Sequence, residues 1–297
     1  MQLASLFQRL DAEILDADEE TFLLFSQPFP SQDLGFVDAR SKTIDISIGN
    51  QDLSITQSPG LLSSNRSDGT TGAVVWRVTP LVADWISQVD NVLFESEVLH
   101  SRAAVIEIGC GSSGMLALTL APLVGQFVAS DQDYVFKLLR HNLEANRLRK
   151  ADKAGRPGKK TRGSLAKIEP RSSDDNVHVI ALDWEKSSVA SISSLLDLQD
   201  GFDLLVACDC IYNDALIAPF VNTCAEICRL RQAEGHPTIC LVAQQLRSDE
   251  VFAAWLAAFA KIFRVWRLPD SICGSALSSN NGFVIHLGML RSSKGEG

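Results

Sequence analysis

From residue 103 to residue 290, short apolar runs alternate with stretches of helical spacing, and that alternation leaves the chain few folds to choose from. The strand candidates are Ala103–Ile108, Gln126–Ser130, Val177–Leu182, Phe202–Ala207, Thr238–Ala243, Phe263–Leu268 and Gly282–Leu290. Between them lie helix candidates at Gly114–Leu123, Gln132–Leu148, Ser188–Leu196, Ile217–Leu230 and Asp249–Ile262, and a helix opening at Pro80 comes before them all. In Gln132–Leu148, for example, Val135, Leu138, Leu139 and Leu143 share one helical face. Strand–helix alternation of this kind predicts an α/β fold, a doubly wound, mostly parallel seven-stranded sheet of Rossmann-like type. The last two strands have no helix between them, so they are expected to form an antiparallel hairpin closing one edge.

Residues 1–70 read as an N-terminal, β-rich extension to a main domain spanning 71–297. Leu3–Leu15 has helical spacing; Thr43–Ile48 alternates polar and apolar residues and can pair with Gln51–Thr56 across Gly49-Asn50. Ser58–Gly72 is rich in Ser, Gly and Asn and reads as a loop. Residues 147–171 hold ten Lys or Arg against two acids and are broken by Gly155, Pro157, Gly158 and Gly163, which predicts a flexible basic insertion at 149–171. The whole chain carries a net charge of −9, which disfavours nucleic acid as a general partner and suits a basic protein; the insertion is the one place where nucleic acid could bind. No run is apolar enough for a membrane span, and the acidic N-terminus lacks the pattern of a secretory signal, so an intracellular, cytoplasmic or nuclear protein is expected. The seven cysteines sit in apolar segments without nearby histidines, which reads as reduced, buried thiols and no metal site. The sequence does not fix the oligomeric state; a monomer is the favoured reading.

Val105–Ile108 runs into Gly109-Cys110-Gly111-Ser112-Ser113-Gly114, a Gly-x-Gly-x-x-Gly loop followed by a helix. Such a loop lets backbone approach a ligand and fits NAD, FAD or S-adenosylmethionine. Glu107, beside the loop, favours the last: a carboxylate repels a pyrophosphate and attracts the ammonium and sulfonium of S-adenosylmethionine, whereas a structural ion pair is the competing role. Asp131 ends the next strand 22 residues past Gly109, where an acid can accept both ribose hydroxyls or cap a helix. Asp183 and Trp184 end a third strand and can meet an adenine amino group and ring face, unless Trp184 is core. Asp209 and Tyr212 follow the fourth strand and point to the same crevice, because open α/β sheets bind ligands at the carboxyl ends of their strands. There a carboxylate can orient an incoming amine and a tyrosine can face its charge, while a helix cap is the plainer role for Asp209.

Asp209-x-x-Tyr212, Leu182-Asp183-Trp184, Gly72-Ala73-Val74-Val75-Trp76 and Ala243-Gln244-Gln245-Leu246-Arg247 together resemble the motifs of the seven-strand family 16 protein methyltransferases, the methyltransferase-like 21 group. Thr71–Pro80, Ser130-Asp131-Gln132 and Ala207–Asn213 are most similar to its fungal ribosomal-protein branch. The resemblance covers about residues 71–290 without the insertion; the long insertion and the N-terminal extension depart from it. It implies that Trp76, Glu107, Gly109, Cys110, Gly111, Asp131, Trp184 and Ala207 line an S-adenosylmethionine pocket and that Asp209 and Tyr212 stand at a lysine entrance. It also implies a large-subunit ribosomal protein as substrate. The alternatives are a methyltransferase for nucleic acid or a small molecule, a nicotinamide-dependent oxidoreductase, and a non-catalytic module of the same fold.

Overall fold

The computed structural model describes residues 2–30, 34–62, 70–154, 176–189, 192, 200–231 and 236–291. Strands β1 (Thr43–Ile48) and β2 (Gln51–Thr56) form the expected antiparallel hairpin, with Thr43 opposite Thr56 and Ile48 opposite Gln51. Seven more strands make one sheet: β3 (Ala104–Ile108), β4 (Gln126–Asp131), β5 (Val177–Ala181), β6 (Leu204–Cys208), β7 (Ile239–Gln245), β8 (Phe263–Arg267) and β9 (Phe283–Leu290). Their order is β5-β4-β3-β6-β7-β9-β8. Strands β3 to β7 are parallel, and β9 runs antiparallel to both its neighbours. The expected antiparallel pairing of the last two strands holds, but β9 inserts between β7 and β8 instead of adding outside them, and short helical turns at Asp270–Cys273, Ser275–Leu277 and Ser279–Asn281 precede it.

The central strands are apolar throughout because they are buried on both faces. Val105, Phe127, Leu204 and Val206 face one core, and Ile106, Val128, Leu205 and Ala207 the other, as the period of a strand requires. The first core is closed by α-helices at Val78–Ile86, Met115–Leu120 and Phe136–Ala154, and the second by helices at Ala17–Phe25, Asp214–Arg229 and Asp249–Ile262. The first 70 residues contribute to both: Ile44, Ile48, Leu53 and Ile55 of the hairpin enter the first, Leu24 the second.

The Leu3–Leu15 expectation is corrected. The helix stops at Phe7; Glu13 then bridges Trp266 of β8, and Ile14 donates its N–H to Val265 at 2.8 Å. The edge strand offers unpaired backbone groups that residues 13–14 satisfy, which a helix over them would leave open. A second helix, Ala17–Phe25, follows unforeseen, capped by the Asp16 carboxylate, which accepts the N–H groups of Asp18 and Glu19. Its Glu20 is buried against His286 and Arg267, each at 3.2 Å. Burial opposes the charge on Glu20, but these partners outweigh it and lower its pKa.

The basic insertion is corrected at its start. The helix from Phe136 continues to Ala154, so residues 149–154 are helical, in keeping with the good propensity of Arg, Lys and Ala. The rest of the insertion, and most of the Ser188–Leu196 helix expectation, lie outside the described residues. The same helix pins the hairpin. Asn142 and Asn146, one turn apart, each exchange a pair of hydrogen bonds with the β2 backbone at Thr56 and Ser54, over 2.8–3.0 Å. Asn142 also donates to the Ser112 carbonyl at 2.8 Å, tying the glycine loop to the N-terminal hairpin. Among the described residues, no helix is long and apolar enough to cross a membrane and no cluster of three His, Cys, Asp or Glu could hold a metal. All seven cysteines are free and buried.

Candidate functional site

Strands β4 and β6 flank β3 on opposite sides, so the chain reverses its winding direction at β3, and a crevice opens at the carboxyl ends there. In it lies a cavity of about 500 Å³. The glycine loop forms one wall. Gly109 and Gly111 have φ of +66° and +61°, a region L side chains avoid. A Cβ on Gly109 would come to 2.6 Å from Cys210 Sγ and 3.2 Å from Trp184 Cζ2; one on Gly111 would come to 3.2 Å from the Gly72 carbonyl. The loop is therefore wedged between the exit of β6, Trp184 and the segment at Gly72.

Of the residues singled out from sequence, Trp76, Gly109, Cys110, Gly111, Asp131 and Asp183 line this cavity. Trp184, Asp209 and Tyr212 line it too. Asp131 accepts the N–H of Gly111 at 2.8 Å through one carboxylate oxygen and that of Gln132 at 2.7 Å through the other. Burial is the main cause that raises its pKa to about 6, and those two bonds work against it. Each oxygen keeps a second lone pair for a hydroxyl donor. Asp183 accepts the Glu185 N–H at 3.0 Å and lies 3.3 Å from Lys186. Trp184 turns one edge to Phe220, with ring centroids 5.2 Å apart, so it is both cavity wall and core. Tyr212 stands half-exposed at the mouth, its hydroxyl 3.3 Å from Thr71 Oγ1.

Glu107 and Ala207 are not among the residues that line the cavity. Both are buried, penultimate positions of central strands. Glu107 is only 2% exposed, and its Oε2 has no hydrogen-bond partner. Burial first, and the neighbouring Asp131 carboxylate second, push its pKa well above the usual carboxylate value.

Asp209 is engaged by an arginine. Its Oδ1 accepts Arg247 Nη1 at 2.7 Å and its Oδ2 accepts Arg247 Nη2 at 2.5 Å, and its side chain is 1% exposed. Its φ of +58° lies in the left-handed region, uncommon for a residue with a side chain and entered more readily by Asp and Asn than by most. Arg247 entered the sequence reading only as the end of the Ala243–Arg247 motif, and Tyr134, whose hydroxyl accepts the Gly72 N–H at 3.1 Å on the cavity wall, did not enter it. The signal for Arg247 was its place at the exit of β7, two residues beyond the strand.

Four carboxylates, Asp131, Asp183, Glu185 and Asp209, and one cationic side chain, Lys186, line the cavity among the described residues. Arg247 offsets Asp209 and Lys186 offsets Asp183, so among the described residues Asp131 and Glu185 are the unpaired acids; a pyrophosphate would meet their repulsion, and a ligand bearing positive charge would be drawn in.

No family model matches the chain. A protein of Schizosaccharomyces pombe named diaminohydroxyphosphoribosylamino-pyrimidine deaminase is 30% identical over 252 residues, which cover 84% of this chain and 52% of that one. The ribosomal lysine N-methyltransferase 5 of Zygosaccharomyces rouxii is 31% identical over 217 residues, 66% of each chain. The chain belongs to the seven-β-strand methyltransferase family. A second methyltransferase of the same name, from Vanderwaltozyma polyspora, is 26% identical over 92% of this chain and 98% of its own. The chain spans about half the length of the Schizosaccharomyces pombe relative and 66% of the Zygosaccharomyces rouxii methyltransferase. The deaminase name describes a longer protein. Zinc deaminases carry His-x-Glu and Pro-Cys-x-x-Cys, and neither occurs in these 297 residues. The methyltransferase reading agrees instead with the carboxylate-rich cavity and the two-glycine wall.

Proposed function

We propose that the chain is an S-adenosylmethionine-dependent protein-lysine N-methyltransferase acting on a ribosomal protein, with residues 71–297 as its transferase unit. The observation that carries this reading is the meeting of Asp209 and Tyr212 with Gly109, Gly111, Asp131 and Trp184 around one cavity. The cavity suits the cofactor on its own chemistry. Gly109 and Gly111 leave a cradle that a Cβ would fill, and Glu107 Oε2 is a buried acceptor lacking a donor. Asp131 would hold the ribose hydroxyls, Trp184 the adenine face, and Asp183 its amino group. Glu107, whose charge burial opposes in the empty site, would be drawn into its ionised form by the positively charged end and accept from it. The names of the fungal relatives supply the substrate class.

The bound cofactor supplies a methyl group activated on a sulfonium. The protein's own part is to deliver a neutral amine in line and dry. Asp209 accepts an amine N–H and orients its lone pair; because the Arg247 pair neutralises it, it does not hold the amine as a tight ammonium. Burial raises the Tyr212 pKa, so its phenol stays protonated and serves as ring wall and hydrogen-bonding group, not as base. The proton of the ammonium leaves to solvent at the open mouth.

The test is transfer of labelled methyl from S-adenosylmethionine to a ribosomal-protein fraction, followed by mass spectrometry. Label on a lysine of a large-subunit protein is expected. Label confined to RNA or to small molecules would reject the protein-lysine reading.

A further inference from the structure

Arg247 is held from four directions. Asp209 takes its two terminal nitrogens, the Gln245 side chain accepts Nη2 at 3.2 Å, and the guanidinium stacks over the Trp76 ring at 5.3 Å. The fourth contact comes from the N-terminal extension. Gly35 has φ of +84°, and a Cβ built there would collide with Arg247 Nη2 and Gln245 Oε1. The segment around Gly35 is itself fixed: Phe36 bridges Trp76 antiparallel, Arg77 donates to the Gly35 carbonyl at 2.8 Å, and Val37 donates to Val75 at 3.0 Å. The Phe36 and Trp76 rings lie 4.5 Å apart.

The pair also separates two spaces. Asp209 and Trp76 line the inner cavity, whereas Arg247 lines an outer groove of about 910 Å³ together with Leu34, Phe36, Asp38, Arg40 and Arg77. Arg247 Nε is buried with no partner. An orphaned buried donor is unfavourable, so stability alone does not explain this seat. A planar fork on a carboxylate fixes its direction in a way a point charge cannot.

We infer that Arg247, seated against Gly35, is a positioning residue that aims the Asp209 carboxylate and backs Trp76, so that residues 34–38 of the N-terminal extension complete the reaction site. The aiming rests on the lysine-methylation reading above; the mechanical link between residues 34–38 and Asp209 does not. Misplacing a reacting group by about 1 Å costs on the order of a hundredfold in rate, which gives the link its leverage.

The full chain is compared with Arg247→Met, Arg247→Lys and Gly35→Ala, each shown to be folded by its melting curve. Amide exchange comes first. The Gln245 N–H bonds to Asp209, and those of Val37 and Arg77 hold the bridge. In Gly35→Ala, protection at Gln245 is expected to fall about tenfold along with that at Val37 and Arg77, and Arg247→Met should loosen both places likewise. Loosening confined to the mutated side would overturn the link. Kinetics follow. Arg247→Met and Gly35→Ala should lower kcat by about thirtyfold or more with KM for S-adenosylmethionine within about threefold, and Arg247→Lys should recover only part. An Arg247→Met chain with kcat within about twofold of the parent would remove Arg247 from positioning. Absence of transfer by the parent chain would count against lysine methylation, and the exchange result would then decide the link by itself.

Discussion

Replacing Asp209 with asparagine is expected to lower methyl transfer by about a hundredfold or more while S-adenosylhomocysteine binds within about threefold of its parent affinity. Asparagine is the right probe because it tolerates the left-handed backbone at φ +58° and can still accept a bond from Arg247. What it loses is the charge and one acceptor. Asp209→Ala should lose transfer as well, but it strands a guanidinium that is only 21% exposed and should melt lower. Breaking a buried pair from one side typically costs about 3–5 kcal/mol, discounted here for the partial exposure of Arg247. Transfer by Asp209→Asn at the parent rate, in a steady-state assay, would take Asp209 out of the mechanism.

The second large effect is expected on binding. Gly109→Ala forces a side chain into a left-handed position, at about 1–2 kcal/mol, and drives a methyl toward Cys210 Sγ and the Trp184 ring. In the free protein the loop can shift to relieve this. Binding must push it back, so the dissociation constant for S-adenosylhomocysteine should rise about a hundredfold, equal to about 3 kcal/mol. Circular dichroism should show the fold retained. A folded Gly109→Ala chain that binds within about threefold of the parent would mean that the loop does not touch the ligand.

Much of the fold was legible because local signals agreed with it. The helix at Asp249–Ile262 carries its own cap, Ser248, whose hydroxyl accepts the Val251 N–H, and acids in its first turn, so its bounds stood in the sequence. The parallel strands announced themselves as apolar runs because both their faces are buried. The hairpin turned where Gly49-Asn50 allowed it. What the sequence hid depends on long-range pairing. Asp209 and Arg247 are 38 residues apart and meet because β6 and β7 are neighbours in register, Cys208 beside Ala243. Residues 13–14 left the helical pattern to satisfy a strand edge that only the assembled sheet provides. Asn142 and Asn146 are not among the apolar residues that mark the buried face of their helix, yet both are buried and bond to β2. Glu107 was recognisable as an unusual charge in an apolar strand, and it is buried there.

Titration calorimetry of the parent chain with S-adenosylhomocysteine and with NADH bears most directly on the central claim, that this acidic cavity backed by a buried acceptor takes an ammonium-bearing S-adenosyl ligand and turns away a pyrophosphate. Binding of S-adenosylhomocysteine with a dissociation constant of about 1–100 μM, and no heat from NADH over the same range, is the expected result. Saturable binding of NADH with no binding of S-adenosylhomocysteine would contradict it.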